Sequence, residues 1–223
     1  MATTLYIRDT VTAQADSGTA YEDILTTAGA SATTKDANTT ASGTEIALGQ
    51  WITGRIPAGG VAALGTITLN LYGLESNTAA NATFGVRAYR RTAAGVETEM
   101  ISTGRVNDNV ELTASVTLMN WVATPNQNRA FAENDRIVVK LFASNFGTMG
   151  NGRTVTLNYN NGTGTPAGSN IVLADTIAFK AEPTYTWVKH VGVWKKTTVH
   201  AKHVGIWKPA TSFVKSGGVW KQA

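Results

Sequence analysis

The side chains that could carry out acid–base or nucleophilic chemistry are few and poorly placed for it. Cysteine is absent, which removes disulfides, thiolate metal sites and a thiol nucleophile. A hydroxyl nucleophile needs a base beside it. Residues 1–183 hold no histidine, and no Gly-x-Ser-x-Gly turn occurs. Carboxylates remain. Glu97, Glu99, Asp108 and Glu111 are the candidates for a glycosidase-type acid pair. Glu97 and Glu99 are two residues apart and would share one face of a strand. Such a pair needs a pocket that raises one pKa. Without a pocket, the same spacing describes a solvated strand face near a turn.

Metal chemistry fares no better. His190 and His203 occupy equivalent positions of a repeat, whose third copy has Ser216 there, so repetition accounts for them without coordination. His200 lies just before the second copy. The cluster Asp108, Asn109 and Glu111 lacks the Gly-containing spacing of an EF-hand and reads as a turn. The sequence calls for no metal, no cofactor and no catalytic residue; the expectation is a protein that is not an enzyme.

The elements that position these residues fall into two regions. Residues 184–223 hold seven lysines and no acid, while the rest of the chain has 12 basic and 15 acidic residues, a net charge of −3. All three histidines and four of the six tryptophans lie in the basic stretch. We place the border near Pro183, giving a body of residues 1–183 and an appendage of residues 184–223. The appendage contains three copies of a thirteen-residue unit, Val188–Lys195, Ala201–Lys208 and Val214–Lys221 at their cores. Each has Gly, a β-branched residue, Trp and Lys in the same order, and an aromatic position, Trp187, His200 or Phe213, precedes each. The expected unit is a strand, a tight turn at the Gly and a second short strand. Trp would cover an apolar face, and Lys would stay in water with its stem along the ring. A unit this short buries little by itself and must stack on something. Trp187, Trp194, Trp207, Trp220, Lys195, Lys208 and Lys221 are therefore the candidate docking residues. Nucleic acid is the competing partner, since lysines and tryptophans could pair phosphates and stack bases. Lysines that block edge-to-edge strand pairing explain the spacing more simply, and the appendage has no Arg for fork-like phosphate recognition.

The body reads as strands throughout. In Thr66–Leu71 every second residue is apolar, so one face meets a core and the other meets water. Phe84, Val86 and Ala88 repeat the pattern, as do Val155, Leu157 and Tyr159. Arg136–Phe142 is apolar on both faces and reads as a central strand. Strands are expected near 3–7, 45–53, 65–73, 82–91, 96–102, 110–118, 136–143, 153–160 and 170–179, with turns at Ala93-Ala94-Gly95 and Asn160-Asn161-Gly162. Ser31–Ser42, rich in Thr, Ala, Ser and Asn, reads as an exposed loop or arm. The fold class is all-β: an antiparallel, jelly-roll-like β-sandwich followed by a triplicated hairpin repeat. Burying Ile67, Leu69, Leu71, Val139 and Leu141 would contribute on the order of 10 kcal/mol before chain entropy is charged. Tyr72, Tyr89 and Trp121 are the candidates for a glycan-binding patch. No apolar run is long enough to span a membrane, and the N-terminus lacks a signal-peptide pattern.

Several segments carry a resemblance. Thr4–Thr10, Trp51–Arg55, Arg90–Glu99 and Phe131–Ile137 resemble structural proteins of tailed bacteriophages and prophages, across most of residues 1–180. The Val-Lys-x-x-Gly-Val-Trp-Lys repeats are similar to C-terminal repeats of phage tail and fibre-like proteins. The resemblance implies a virion component made in the host cytoplasm and oligomeric, with a trimer favoured. Its partners would be other virion proteins and, for a fibre, host surface glycan. Four readings stay open: a tail fibre or tip, a capsid decoration or head fibre, a carbohydrate-binding module and a cell-wall glycan hydrolase.

Overall fold

In the computed structural model the described residues are 2–12, 21–27, 29, 31–39, 45–101, 106–107, 111–145, 152–159 and 168–180. In the remainder they are 185–190, 193–198, 200–203, 206–209, 213–216 and 219–222. The chain divides into two compact units, Met1–Lys180 and Ala181–Ala223. The Pro183 border itself and the Asn160-Asn161-Gly162 turn lie outside the described residues.

The first unit runs β1 (Thr3–Thr12), β2 (Tyr21–Leu25), β3 (Thr33–Asn38), β4 (Ile46–Thr53), β5 (Ile67–Glu75) and β6 (Ala82–Arg91). It continues with β7 (Glu97–Glu99), β8 (Val106–Asn107), β9 (Thr117–Ala123), β10 (Arg136–Asn145), β11 (Thr154–Tyr159) and β12 (Asn170–Leu173). Among the described residues the only helical turn is Thr78–Ala80, capped by the Asn77 side chain. The fold is all-β. Hydrogen bonds link these strands in the order β3-β11-β5-β12-β1-β2-β4-β10-β6-β7, with β8 beside β6 and β9 beside β5. All described pairings are antiparallel except β2 with β4.

One hydrogen-bonded path thus replaces the two separate sheets expected of a sandwich, and side chains show where it doubles back. Trp51 of β4 meets Tyr159 of β11 edge-on, with ring centroids 5.9 Å apart. Phe84 of β6 lies over Gly73 of β5, where an added Cβ would sit 2.3 Å from the ring and 2.5 Å from the Thr156 carbonyl. Only glycine fits such an approach. Between these contacts lies one large core, which includes Leu5, Ile7, Leu69, Leu71, Val139 and Leu141. Strand β5 sets the pattern: Ile67, Leu69, Leu71, Gly73 and Glu75 are buried, and the residues between them are half-buried. Strand β10 lies between β4 and β6, as its two-sided apolar sequence requires. Ala93-Ala94-Gly95 turns β6 into β7, with Gly95 at φ 87°.

Four strands depart from the sequence expectation, the shortest being β8, which pairs with β6 between the expected strands at 96–102 and 110–118. Ser31–Ser42 is not wholly a loop, because Thr33–Asn38 forms β3 and pairs along its length with β11. It is an end strand that buries only Ala37, so main-chain bonds hold it and no apolar alternation marks it. Strand β2 buries only Tyr21 and Ile24, for the same lack of signal. Strand β9 spans Thr117–Ala123 rather than 110–118. Its core residues, Met119 and Trp121, alternate with Leu118 and Val122, which are 46% and 65% exposed, so it is apolar on both faces.

In the second unit, β13 (Tyr185–His190) pairs with β14 (Val193–Thr198), β15 (His200–His203) with β16 (Ile206–Pro209), and β17 (Phe213–Ser216) with β18 (Val219–Gln222). Each pair is antiparallel and forms its own two-stranded sheet. The residues expected to make the tight turns, Gly192, Gly205, Gly217 and Gly218, lie outside the described residues.

Candidate functional site

The carboxylates singled out in the sequence come first. Strand β7 pairs with the end of β6, setting Glu97 opposite Arg91 and Glu99 opposite Tyr89. Glu97 is not solvated at a turn. Its Oε1 accepts from the Tyr21 hydroxyl and lies 3.3 Å from an Arg91 nitrogen, and its Oε2 lies 2.6 Å from Lys140 Nζ. Arg91 also donates to the Gly95 carbonyl at 2.7 Å and sits over the Tyr21 ring, 5.4 Å from its centroid. Lys140 lies over Tyr89, 4.5 Å from the ring centroid, and the Tyr89 hydroxyl donates to Glu99 at 3.2 Å. Burial pushes the Glu97 carboxyl up. Hydrogen bonds from Lys140 and Tyr21 and the charges of Lys140 and Arg91 outweigh it, and the net effect is below the usual carboxylate range. A carboxylate held ionised by two cations is a poor general acid. Glu97 and Glu99 have separate partners, so the geometry is that of a structural ion network.

The other sequence candidates are dispersed. Asp108 and Asn109 lie outside the described residues, and Glu111 is half-buried ahead of β9. Among the described residues no group of three His, Cys, Asp or Glu could hold a metal ion. Of the aromatic candidates, Trp121 is 4% exposed on the core face of β9, and Tyr89 belongs to the charged network. Tyr72 alone stands half-buried on the outer face of β5.

The docking candidates occupy equivalent places in the three hairpins. Trp187 lies on β13, Trp194 and Lys195 on β14, Trp207 and Lys208 on β16, and Trp220 and Lys221 on β18. The registers coincide: Trp194 is opposite Lys189, Trp207 opposite Lys202, and Trp220 opposite Lys215. Residues directly opposite share a face, and neighbours in sequence do not. Each Trp therefore shares a face with the lysine across from it. Lys195, Lys208 and Lys221 are on the other face, opposite Val188, Ala201 and Val214. The sequence reading paired each Trp with the lysine that follows it; the backbone pairs it with the lysine five residues before.

No family model matches the chain, and no curated protein matches it. Solved structures do. A CocE/NonD family hydrolase from Staphylococcus aureus superposes with a TM-score of 0.50 over 80% of this chain at 8% identity. An aminopeptidase from the marine sediment archaeon Thaumarchaeota archaeon gives 0.50 over 80% at 9% identity. The likeness is one of fold alone. The chain spans 37% of the length of each of these two proteins. The structure of the infectious bursal disease virus Gt strain matches 68% of this chain and 37% of its own at 12% identity, with a TM-score of 0.33.

One ionisable group escaped the sequence reading. Glu75 closes β5 and is fully buried. Its Oε2 accepts from the Ala82 N–H at 3.1 Å, and its Oε1 has no partner. Burial raises its pKa, the Ala82 hydrogen bond opposes that, and nearby Glu111 adds to it. The signal was available: Glu75 continues the alternation of Ile67, Leu69 and Leu71 and so had to face the core.

Proposed function

We propose that this chain is a non-enzymatic structural component of a tailed-phage virion, a tail-associated fibre or tip protein serving assembly or host attachment. The observation that carries the reading is the appendage: three hairpins in one register, each placing a tryptophan and a lysine directly opposite on one face. Three equivalent elements in series suit multivalent docking, where weak contacts gain from being linked. The body supports the reading in a different way. Its best carboxylate candidate is consumed by Tyr21, Lys140 and Arg91, which hold strands together. The partners implied are other virion proteins and further copies of the chain, a trimer being favoured.

A capsid decoration protein is the second reading. It is favoured by the charge division, a body at −3 and an appendage with seven lysines and no acid, which suits gripping an acidic shell. Antibody labelling of particles in the electron microscope separates the two. Label at the tail supports the first reading, and label over the head at high copy number supports the second. In the second case, binding of purified protein to empty heads should weaken as salt rises. Particles that carry no label and no peptide of this chain would refute both.

A further inference from the structure

The body has a second outer face that resembles nothing in the charged network. It is formed by β9, β5, β12 and β1, whose inward residues Met119, Leu69, Ile171 and Leu5 are in the core. The registers fix which residues are level on the outward side. Asn120 is opposite Asn70, Asn70 opposite Asn170, and Asn170 opposite Tyr6. The three amides are joined: Asn120 Nδ2 donates to Asn70 Oδ1 at 2.7 Å, and Asn70 Nδ2 donates to Asn170 Oδ1 at 2.9 Å. Asn170 Nδ2 lies 3.4 Å from the Gly168 carbonyl. On one side of this amide row lie Val122, Thr68, Val172 and Thr4. On the other lie Leu118 and Tyr72. None of these residues carries a formal charge.

We infer that this asparagine platform binds an uncharged oligosaccharide. Each amide nitrogen has two N–H groups, and an amide oxygen can accept twice. Every bond in the row uses one of these, so donors and acceptors are held in fixed directions with capacity left over. Asn120 Oδ1 receives no hydrogen bond within the described residues. A row of oriented amides beside the ring of Tyr72 and the exposed side chains of Val122 and Leu118 fits sugar rings, which offer hydroxyls at their rim and C–H groups on their faces. Charge weighs against other ligands: the paired residues of these rows include no cation, and Arg8, which follows Tyr6 on the outward side of β1, donates to the Thr27 carbonyl at 2.8 Å, so a phosphate or an acidic glycan gains little here. Size decides against a second copy of the chain. Four strands at about 4.8 Å and three rows at about 6.8 Å cover about 400 Å², half of the roughly 800 Å² per partner of a stable protein interface.

The inference stands apart from the virion reading, because such a platform would serve a carbohydrate-binding module as well as a fibre. The test applies the full-length protein to immobilised oligosaccharides. Neutral hexose and N-acetylhexosamine oligomers stand beside sialylated, uronic-acid and sulfated ones, at low and high salt. Binding to neutral members that is insensitive to salt is expected. Asn120→Ala and Tyr72→Ala should each weaken it by about tenfold, the loss of one good contact. Arg87→Ala on the opposite outer face should leave it unchanged. Four results would overturn the inference: no neutral member bound; binding confined to charged members and lost in salt; both platform variants folded and binding like the parent; or self-association abolished by Val122→Lys. Failure of this test leaves the particle labelling unaffected, and failure of the labelling leaves this test unaffected.

Discussion

The two outer faces of the body share one core and spend their polar groups in opposite ways. On the face of β6, β7 and β10, Glu97 is engaged by three side chains, and the cations that hold it are also placed over aromatic rings. Little is left to offer a ligand. In the paired rows of β9, β5, β12 and β1 the polar groups are amides and hydroxyls, with the three amides hydrogen-bonded along one row. A dense set of charged residues therefore marks where the fold is fastened, and the plainer face keeps hydrogen-bonding capacity for a partner. Charge density alone would have pointed to the wrong surface.

Breaking the charged face should have the largest effect. Glu97→Gln keeps the shape and removes the charge, leaving Lys140 and Arg91 without their shared counter-ion. Arg91 retains the Gly95 carbonyl and Lys140 retains the Tyr89 ring, so we expect a loss of about 2 kcal/mol rather than the larger cost of fully buried pairs. The pH dependence has a definite sign. The folded pKa of Glu97 lies below its unfolded value, so its contribution is full above the usual carboxylate range and is lost as pH falls through the folded value. The difference in Tm between parent and Glu97→Gln should be constant near neutrality and close on acidification. A gap that persists in acid would mean that packing, not charge, holds this face together.

Glu75 sharpens the contrast, since it is an acid with no counter-ion among the described residues. Its folded pKa is raised, so the ionised form costs stability above the folded value, and the cost disappears as pH falls below the unfolded one. Glu75→Gln can still accept from the Ala82 N–H, and it should stabilise the protein by on the order of 1 kcal/mol near neutral pH. That gain should vanish in acid. The two glutamines thus move Tm in opposite directions at neutral pH, and both differences close as the carboxyls protonate. Thermal unfolding across pH measures both.

The sequence was legible where burial and alternation coincide. Strand β5 with Ile67, Leu69 and Leu71, strand β6 with Phe84 and Val86, and strand β10 between two neighbours all follow from spacing. It was illegible where main-chain pairing does the work. Strand β3 buries Ala37 alone, and β2 buries two residues, so neither has a pattern to detect. In β9 the exposed Leu118 and Val122 hide the alternation of Met119 and Trp121. The ion network was legible only as a pair of acids, because Tyr21 and Lys140 lie 76 and 43 residues away from Glu97. The asparagine row was hidden for the same reason: Asn70, Asn120 and Asn170 become neighbours only through the register of three strands distant in sequence.

The smallest expected effect tests the other face. Asn120 is exposed on β9, and its amide donates to Asn70 in competition with water. Asn120→Ala should lower stability by no more than about 0.5 kcal/mol, as surface substitutions outside special contacts do. Asn70 lies between two bonds and should cost somewhat more when changed to Ala, though less than Glu97→Gln. This ordering matters because a binding face must be one the fold can do without. If Asn120→Ala destabilised the body as much as Glu97→Gln does, the amide row would be a fastening like the ion network, and the distinction between the two faces would fail.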